Sequence, residues 1–265
     1  MSDPLFDVEG QIVLVSGGSR GIGQAIASGF AQRGARVVIT GRDSESLTKA
    51  LDTFGQTSLT PEAMVCDVSR IDDIQQTVDQ IQQKYGQIDT LINVAGVNRR
   101  KPSLEVTEED YDFIMDINLK GAFLLSQAVG RLMIERGSGS QINIASLNTD
   151  KPLKNVLPYA VSKAGMGHMT RALASEWGAF GVRVNALAPG FVLTDLTRKL
   201  WSEPHMKQWG LANTPQRRMG EPEDMVGTAV FLASAASAFM TGQILYVDGG
   251  FTAAFDPASF CHRGG

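Results

Sequence analysis

The chain has almost no cysteine: two in 265 residues, Cys66 and Cys261. They lie far apart and form no C-x-x-C pair, which argues against a disulfide scaffold and a thiolate zinc site. Histidine is nearly as scarce, with three. His205 has no second His or acidic partner at ligand spacing, so no metal is expected. No apolar run reaches the ~18 residues of a membrane span. The first residues, Met1-Ser2-Asp3-Pro4-Leu5-Phe6-Asp7, are acidic and lack the apolar core of a secretory leader. A reducing cytoplasm is the expected setting. Excess positive charge is missing too. Lys plus Arg number 24 and Asp plus Glu 28, for a net charge of −4. Neither nucleic acid nor an anionic membrane is an expected partner.

What is present is glycine and an alternating pattern. Glycine occurs 28 times without a collagen-like period, which points to a glycine-dependent loop. A hydrophobic share of 43% beside 20% charged residues fits a folded globular chain. Strands are predicted at 11–16, 35–40, 62–66, 88–93, 141–145, 183–188 and 244–247. Helices are predicted at 21–34, 44–54, 70–85, 107–135 with a break near Asn118, 159–180 and 222–234. This alternation implies right-handed crossovers and an α/β, Rossmann-type doubly wound fold. Its seven-stranded sheet is mainly parallel, with helices on both faces. Residues 1–265 read as one domain, with an irregular elaboration at about 191–220.

The first strand runs into Ser16-Gly17-Gly18-Ser19-Arg20-Gly21-Ile22-Gly23. Backbone N–H groups of such a turn, at a helix N-terminus, suit a pyrophosphate. A Cβ at Gly17, Gly21 or Gly23 would obstruct the turn, the phosphate or the helix packing. The spacing is one residue wider than the G-x-G-x-x-G dinucleotide fingerprint. The end of the second strand then selects between dinucleotides. A carboxylate there suits a free 2′-OH, whereas Gly41 and Arg42 stand at this tip and Arg20 in the turn. Two guanidiniums suit a 2′-phosphate, so NADP(H) is favoured over NAD(H). Asp43 competes with that reading, because its carboxylate turned inward would serve a 2′-OH.

Tyr159-Ala160-Val161-Ser162-Lys163 places a phenol and an ammonium on one helix face. A phenol ordinarily titrates near ~10, and a nearby cation stabilises its phenolate. Ser146 follows the predicted fifth strand, 13 residues before Tyr159. Both then lie at the carboxyl end of the sheet, where open α/β folds bind ligands. A hydroxyl there can hold a substrate carbonyl while Tyr159 donates a proton. Asn118 reads as a helix-kink residue, or as an amide that bonds back to the chain and holds a water against Lys163.

In order, these features join Cys66-Asp67-Val68, Asn93-Val94-Ala95-Gly96, Pro189-Gly190 and Asp248-Gly249-Gly250. Together they resemble a classical short-chain dehydrogenase/reductase over about residues 8–252. The resemblance implies hydride transfer between a nicotinamide and a carbonyl or secondary alcohol. It implies a catalytic tetrad of Asn118, Ser146, Tyr159 and Lys163. It also implies cofactor contacts from Gly17, Ser19, Arg20, Gly21, Ile22, Gly23 and Arg42. Asp67 and Val68 would border the adenine. Asn93, Ala95 and Gly96 would line the ribose side and brace the sheet. Tyr159 and Lys163 would meet the nicotinamide ribose, and Pro189, Gly190, Val192 and Thr194 would flank the nicotinamide and diphosphate. Two positions depart from the family pattern. Ser16 replaces a usual Thr and keeps the hydroxyl, while Val94 replaces a usual Asn and puts a local polar network in doubt.

Asn98-Arg99-Arg100-Lys101-Pro102 sets three cations near the expected mouth. They suit a carboxylate, a solvated loop or a subunit contact. Trp201, His205 and Trp209 are spaced by four and would share one helix face, as a lid or as packing. The stretch 99–102 and the run 214–224 are similar to gluconate 5-dehydrogenase-like members of the family. That likeness implies reduction of a keto sugar acid. A 3-oxoacyl-carrier-protein reductase or another ketone reductase is the alternative, and a non-catalytic dinucleotide-sensing module a remote one. The apolar helices at 119–135 and 159–180, which the family pairs across subunits, imply a homotetramer. The tail at 251–260, with Phe251, Phe255 and Phe260, is a candidate second contact.

Overall fold

Continuous apolar runs such as Ile12-Val13-Leu14-Val15 can only be strands covered on both sides, and that is how they are used. In the computed structural model, which describes residues 3–55 and 57–253, seven strands form one parallel sheet. They are β1 (Ile12–Ser16), β2 (Arg36–Gly41), β3 (Glu62–Val65), β4 (Thr90–Asn93), β5 (Gly139–Ile144), β6 (Val182–Pro189) and β7 (Ile244–Val247). Their order is β3-β2-β1-β4-β5-β6-β7. The chain reverses direction of growth between β1 and β4, where Ser16 lies beside Asn93. A crevice opens beyond the carboxyl ends of the strands at that switch point.

Alternate residues feed the two layers. Val13, Val15 and Ile39 pack against α1 (Gly21–Ala31), α2 (Ser44–Asp52) and α9 (Val226–Ala233). Leu14, Val38 and Leu91 pack against α3 (Ile71–Tyr85), α5 (Ala122–Arg136) and α6 (Leu157–Trp177). The buried strand positions are essentially inaccessible. Each such aliphatic side chain contributes about 1.5–3 kcal/mol of transfer free energy.

The helical break expected near Asn118 is present. The helix α4 (Glu108–Met115) passes through a widened π-turn at Asp116–Gly121 before α5 begins. Thr107 and Asp110 cap the start of α4 reciprocally. The expected helix at 222–234 starts instead as a 3-10 turn, Pro222–Met225.

The segment at 191–220 is not irregular. It carries α7 (Asp195–Trp201) and α8 (Pro204–Asn213). Trp201, His205 and Trp209 therefore do not share one helix, because the residue before Pro204 is disfavoured in helical conformation and the chain breaks there. Both tryptophans nonetheless converge on Phe191, at ring-centroid distances of 4.9 and 5.6 Å. Phe251 completes the cluster, 4.7 Å from Phe191. His205 stays exposed outside it. Phe255, Phe260 and Cys261 lie outside the described residues. No described helix is long and apolar enough to cross a membrane.

Candidate active site

The glycine turn leads directly from β1 into α1. Gly17 sits at φ +78°, and a Cβ there would lie 2.6 Å from the Ala95 backbone nitrogen. At Gly23 a Cβ would lie 2.2 Å from the Gly17 carbonyl oxygen. Neither clash involves a side chain that could move aside, so the turn requires glycine. Arg20 precedes α1 without a side-chain cap. The first N–H groups of α1 are left for an anion. This is a cradle shaped for a pyrophosphate.

The turn forms one wall of a cleft of about 340 Å³. Ser19, Arg20, Gly21, Ile22 and Arg42 line one end of it. Asp43 stands beside Arg42, but its carboxylate accepts from Ser46 N at 2.8 Å and from the Ser46 hydroxyl. That N-cap of α2 lowers the Asp43 pKa and commits the carboxylate to the helix. The two guanidiniums are the groups left to face a ribose substituent. Asp67 and Val68 line the neighbouring stretch, where Asp67 Oδ1 is fixed by Ser69 N at 3.0 Å.

Ala95 and Gly96 line the middle of the cleft, but Asn93 does not. Its amide donates instead to Ser126 Oγ and Asn143 Oδ1, both at 2.9 Å, and Asn143 donates to Thr170 Oγ1 at 2.9 Å. This buried chain ties β4 and β5 to α5 and α6. It is intact with Val94 in place of the usual Asn. Pro189, Gly190, Val192 and Thr194 line the far end. There the Thr197 hydroxyl donates to Val192 O at 2.6 Å and holds the entry to α7.

Ser146, Tyr159 and Lys163 meet on the same cleft. Ser146 follows β5, and Tyr159 lies in the first turns of α6. Ser146 Oγ accepts from Asn148 N at 3.1 Å and from Asn148 Nδ2 at 3.3 Å. With its lone pairs engaged, the hydroxyl proton is directed to the Tyr159 phenol. Burial raises the Tyr159 pKa, while the Ser146 hydrogen bond and the Arg100 charge lower it. Lys163 is buried, and burial lowers its pKa to about 8. Its Nζ donates to Ile144 O at 2.6 Å and stands 5.8 Å from the Tyr159 ring centroid.

Asn118 does not line the cleft. Its amide reads the backbone of Val97 in both directions: Val97 N donates to Oδ1 at 2.7 Å, and Nδ2 donates to Val97 O at 2.9 Å. Nδ2 also reaches Ser162 Oγ at 3.1 Å. The bond back to the chain is as expected, and it anchors the loop after β4.

The profile of a protein family described as Enoyl-(Acyl carrier protein) reductase matches residues 17–252. The chain belongs to the short-chain dehydrogenase/reductase family. Gluconate 5-dehydrogenase of Gluconobacter oxydans is 41% identical over 253 residues, covering 95% of this chain and 99% of that protein. D-threitol dehydrogenase of Mycolicibacterium smegmatis is 38% identical over 250 residues, covering 93% and 95%. A gluconate 5-dehydrogenase from Burkholderia cenocepacia, solved in complex with NADP and tartrate, matches with a TM-score of 0.91 at 36% identity. That match covers 95% of this chain and 99% of the other. This short-chain dehydrogenase/reductase is an NAD(P)-dependent oxidoreductase.

Sequence reading passed over three of the reductase's polar groups. Asn148, which orients Ser146, carries no motif signal. Ser46 is visible only as an ordinary helix-start residue beside Asp43. Asp110 sits in the capping pattern Thr107-Glu108-Glu109-Asp110, a signal of a helix start and not of a site. It pairs with Arg99 at 3.0 Å and with Lys101. Arg99 also pairs with Glu109 at 3.6 Å, so two of the three loop cations are paired, and the charge of the third, Arg100, lowers the Tyr159 pKa.

Proposed function

We propose that this enzyme interconverts a keto sugar acid and its hydroxy acid, with NADP(H) preferred and Tyr159 as the proton donor. The observation that carries this reading is the meeting of Ser146, Tyr159 and Lys163 with the glycine turn on one cleft. The Arg100 charge, which lowers the Tyr159 pKa, suits a substrate carboxylate. The gluconate 5-dehydrogenase relatives support the same substrate class. The D-threitol dehydrogenase relative supports a second reading, an uncharged polyol. A 3-oxoacyl thioester is a third, since its carrier protein would also meet the loop cations.

The nicotinamide supplies or accepts the hydride when bound. Arg20, Arg42 and the bare N-terminus of α1 would hold its phosphates. Asp67 and Val68 would border the adenine, Lys163 the nicotinamide ribose, and Pro189, Gly190, Val192 and Thr194 the ring. Everything else is done by this chain. Ser146, its lone pairs engaged by Asn148, turns its one proton from the Tyr159 phenol to the substrate oxygen. Tyr159 passes a proton to that oxygen, and Arg100 favours the phenolate left behind. Asn118 keeps the loop bearing Arg100 in register.

A rate assay with NADPH and NADH, run on 5-keto-D-gluconate, D-fructose and an acetoacetyl thioester, tests the reading. The keto acid should give the highest kcat/KM with NADPH. A preference for the neutral ketose or the thioester would overturn the substrate assignment. Arg42→Ala in the same assay should lower kcat/KM with NADPH by about 10- to 100-fold, the worth of charge-assisted hydrogen bonds. NADH rates should stay within about twofold. Equal loss with both cofactors would remove Arg42 from the 2′-phosphate.

The reading includes a homotetramer. It is supported by the apolar side chains that α5 and α6 leave exposed, Phe123, Leu157 and Val161. Light scattering giving the mass of one or two chains would exclude that assembly.

A further inference from the structure

We propose that Gly121 is a positioning residue for the cofactor. It seats the loop after β3 at a depth that any larger side chain would change. The proposal rests on the reading that Asp67 and Val68 of this loop border the adenine.

Gly121 closes the π-turn at Asp116–Gly121 and is buried. Its backbone stands at φ −61° and ψ −44°, helical angles that alanine adopts as readily. In that place glycine weakens a helix, because it surrenders more chain entropy than alanine. Local conformation therefore does not call for glycine, but a close approach does. A Cβ on Gly121 would lie 2.6 Å from the Val68 carbonyl oxygen, and 3.0 Å from both the Val68 carbonyl carbon and the Val68 Cβ. An ordinary carbon–oxygen approach is about 3.3–3.6 Å, so backbone would have to move by roughly 0.7 Å or more.

The loop has little freedom to bend aside. Asp67 Oδ1 accepts from Ser69 N at 3.0 Å and from Ser69 Oγ at 2.7 Å, and Asp67 N donates to Asp73 Oδ2 at 3.0 Å, in the first turn of α3. Arg70 N donates to Asp67 O at 2.9 Å. A push on Val68 is therefore shared with Asp67. Both residues line the cleft, whereas Gly121 does not. Three residues earlier in the same turn, Asn118 holds Val97, another residue of the cleft wall, and Ile117 lines the cleft directly. The turn thus braces two strand-end loops, one after β3 and one after β4, and fixes their separation. Such π-windings are rare and recur at functional sites. Here the winding sets Asn118 on one loop and Gly121 on the other.

In the full-length enzyme, Gly121→Ala should raise KM for the nicotinamide cofactor by about 10- to 100-fold. At saturating cofactor, kcat and the KM of the carbonyl substrate should stay within about threefold. Affinity for adenosine 2′,5′-bisphosphate and for ADP, which carry the adenine half alone, should fall by the same factor as that for the cofactor. Lys120→Ala, at the exposed Lys120–Asp116 pair of the same turn, should leave every value in place. A second measurement needs no variant, and it decides the matter if the alanine chain does not fold. In the parent enzyme, the same adenine fragments should slow amide hydrogen exchange at 67–70 and also at 121–124, although the latter stretch lies off the cleft. Protection confined to 67–70, or a folded alanine variant of unchanged fragment affinity, would overturn the role of Gly121. Equal losses in kcat, substrate KM and cofactor KM would overturn it as well, since general loosening then explains them. Absence of protection at 67–70 would place the adenine elsewhere, and the proposal would fall together with that reading.

Discussion

Tyr159→Phe is expected to lower turnover by about a thousandfold, within the ~10²–10⁴ that a positioned acid or base contributes. The substitution removes one oxygen and keeps the ring. The change should therefore spare packing and leave NADPH affinity within about twofold. The size follows from the surroundings of the phenol. Burial raises its pKa, and Ser146 and Arg100 oppose that rise. A phenol under opposing pressures of this kind can give up and regain a proton at a fixed place. A phenylalanine leaves the substrate oxygen with the Ser146 proton alone, which can stabilise charge but is not matched to transfer. Single-turnover rates and fluorescence titration of NADPH measure the two halves separately. Rates near those of the parent enzyme, with intact binding, would falsify the tyrosine mechanism.

Lys163→Met is expected to separate activity from stability. The ammonium lies 5.8 Å from the Tyr159 ring centroid. At an effective dielectric of ~20, that distance corresponds to roughly 3 kcal/mol between full charges, so activity should fall by about a hundredfold. Loss of the group proposed to hold the ribose should weaken NADPH as well. The cofactor-free protein should nevertheless melt several degrees higher at pH 7. Lys163 is buried, its Nζ faces a carbonyl and not a carboxylate, and its pKa is lowered to about 8. Lowering from 10.5 to about 8 costs on the order of 3 kcal/mol. The sign follows from proton counting. Between about 8 and 10.5 the unfolded chain holds more protons at this lysine than the folded one, so rising pH favours folding. The penalty is complete below that window and gone above it. The advantage of methionine should therefore shrink as pH climbs through it. Melting curves at pH 7 and pH 10 test this, and a variant less stable than the parent at pH 7 would refute it.

The fold was legible because its signals are local. Buried parallel strands need unbroken apolar runs, and Ile12–Ser16 or Ile244–Val247 could be little else. The break at Asn118 was legible because an amide competes for backbone, although the backbone it takes is that of Val97, 21 positions away. The helices α7 and α8 were not. Their apolar residues, such as Trp201, Met206 and Leu211, gather around Phe191 from three directions, and no single helical face accumulates. The cleft was legible where chemistry demands a residue type, as at Gly17 or Tyr159. Supporting contacts were hidden because they join distant positions. Asn93 reads as a cofactor residue by its motif, yet its partners are 33 and 50 residues away. Asp43 was ambiguous until its carboxylate was found on Ser46.

Two of the chain's three tryptophans, Trp201 and Trp209, stand in the aromatic cluster around Phe191, which lies between the cleft residues Gly190 and Val192. Trp201 is 6% exposed and Trp209 39%, so one emits from an apolar setting and the other from a partly wet one. Any ligand that reorders this corner changes the colour and brightness of the protein's own emission. Titration of substrate against that emission, without dye or label, is expected to show whether the corner moves on binding.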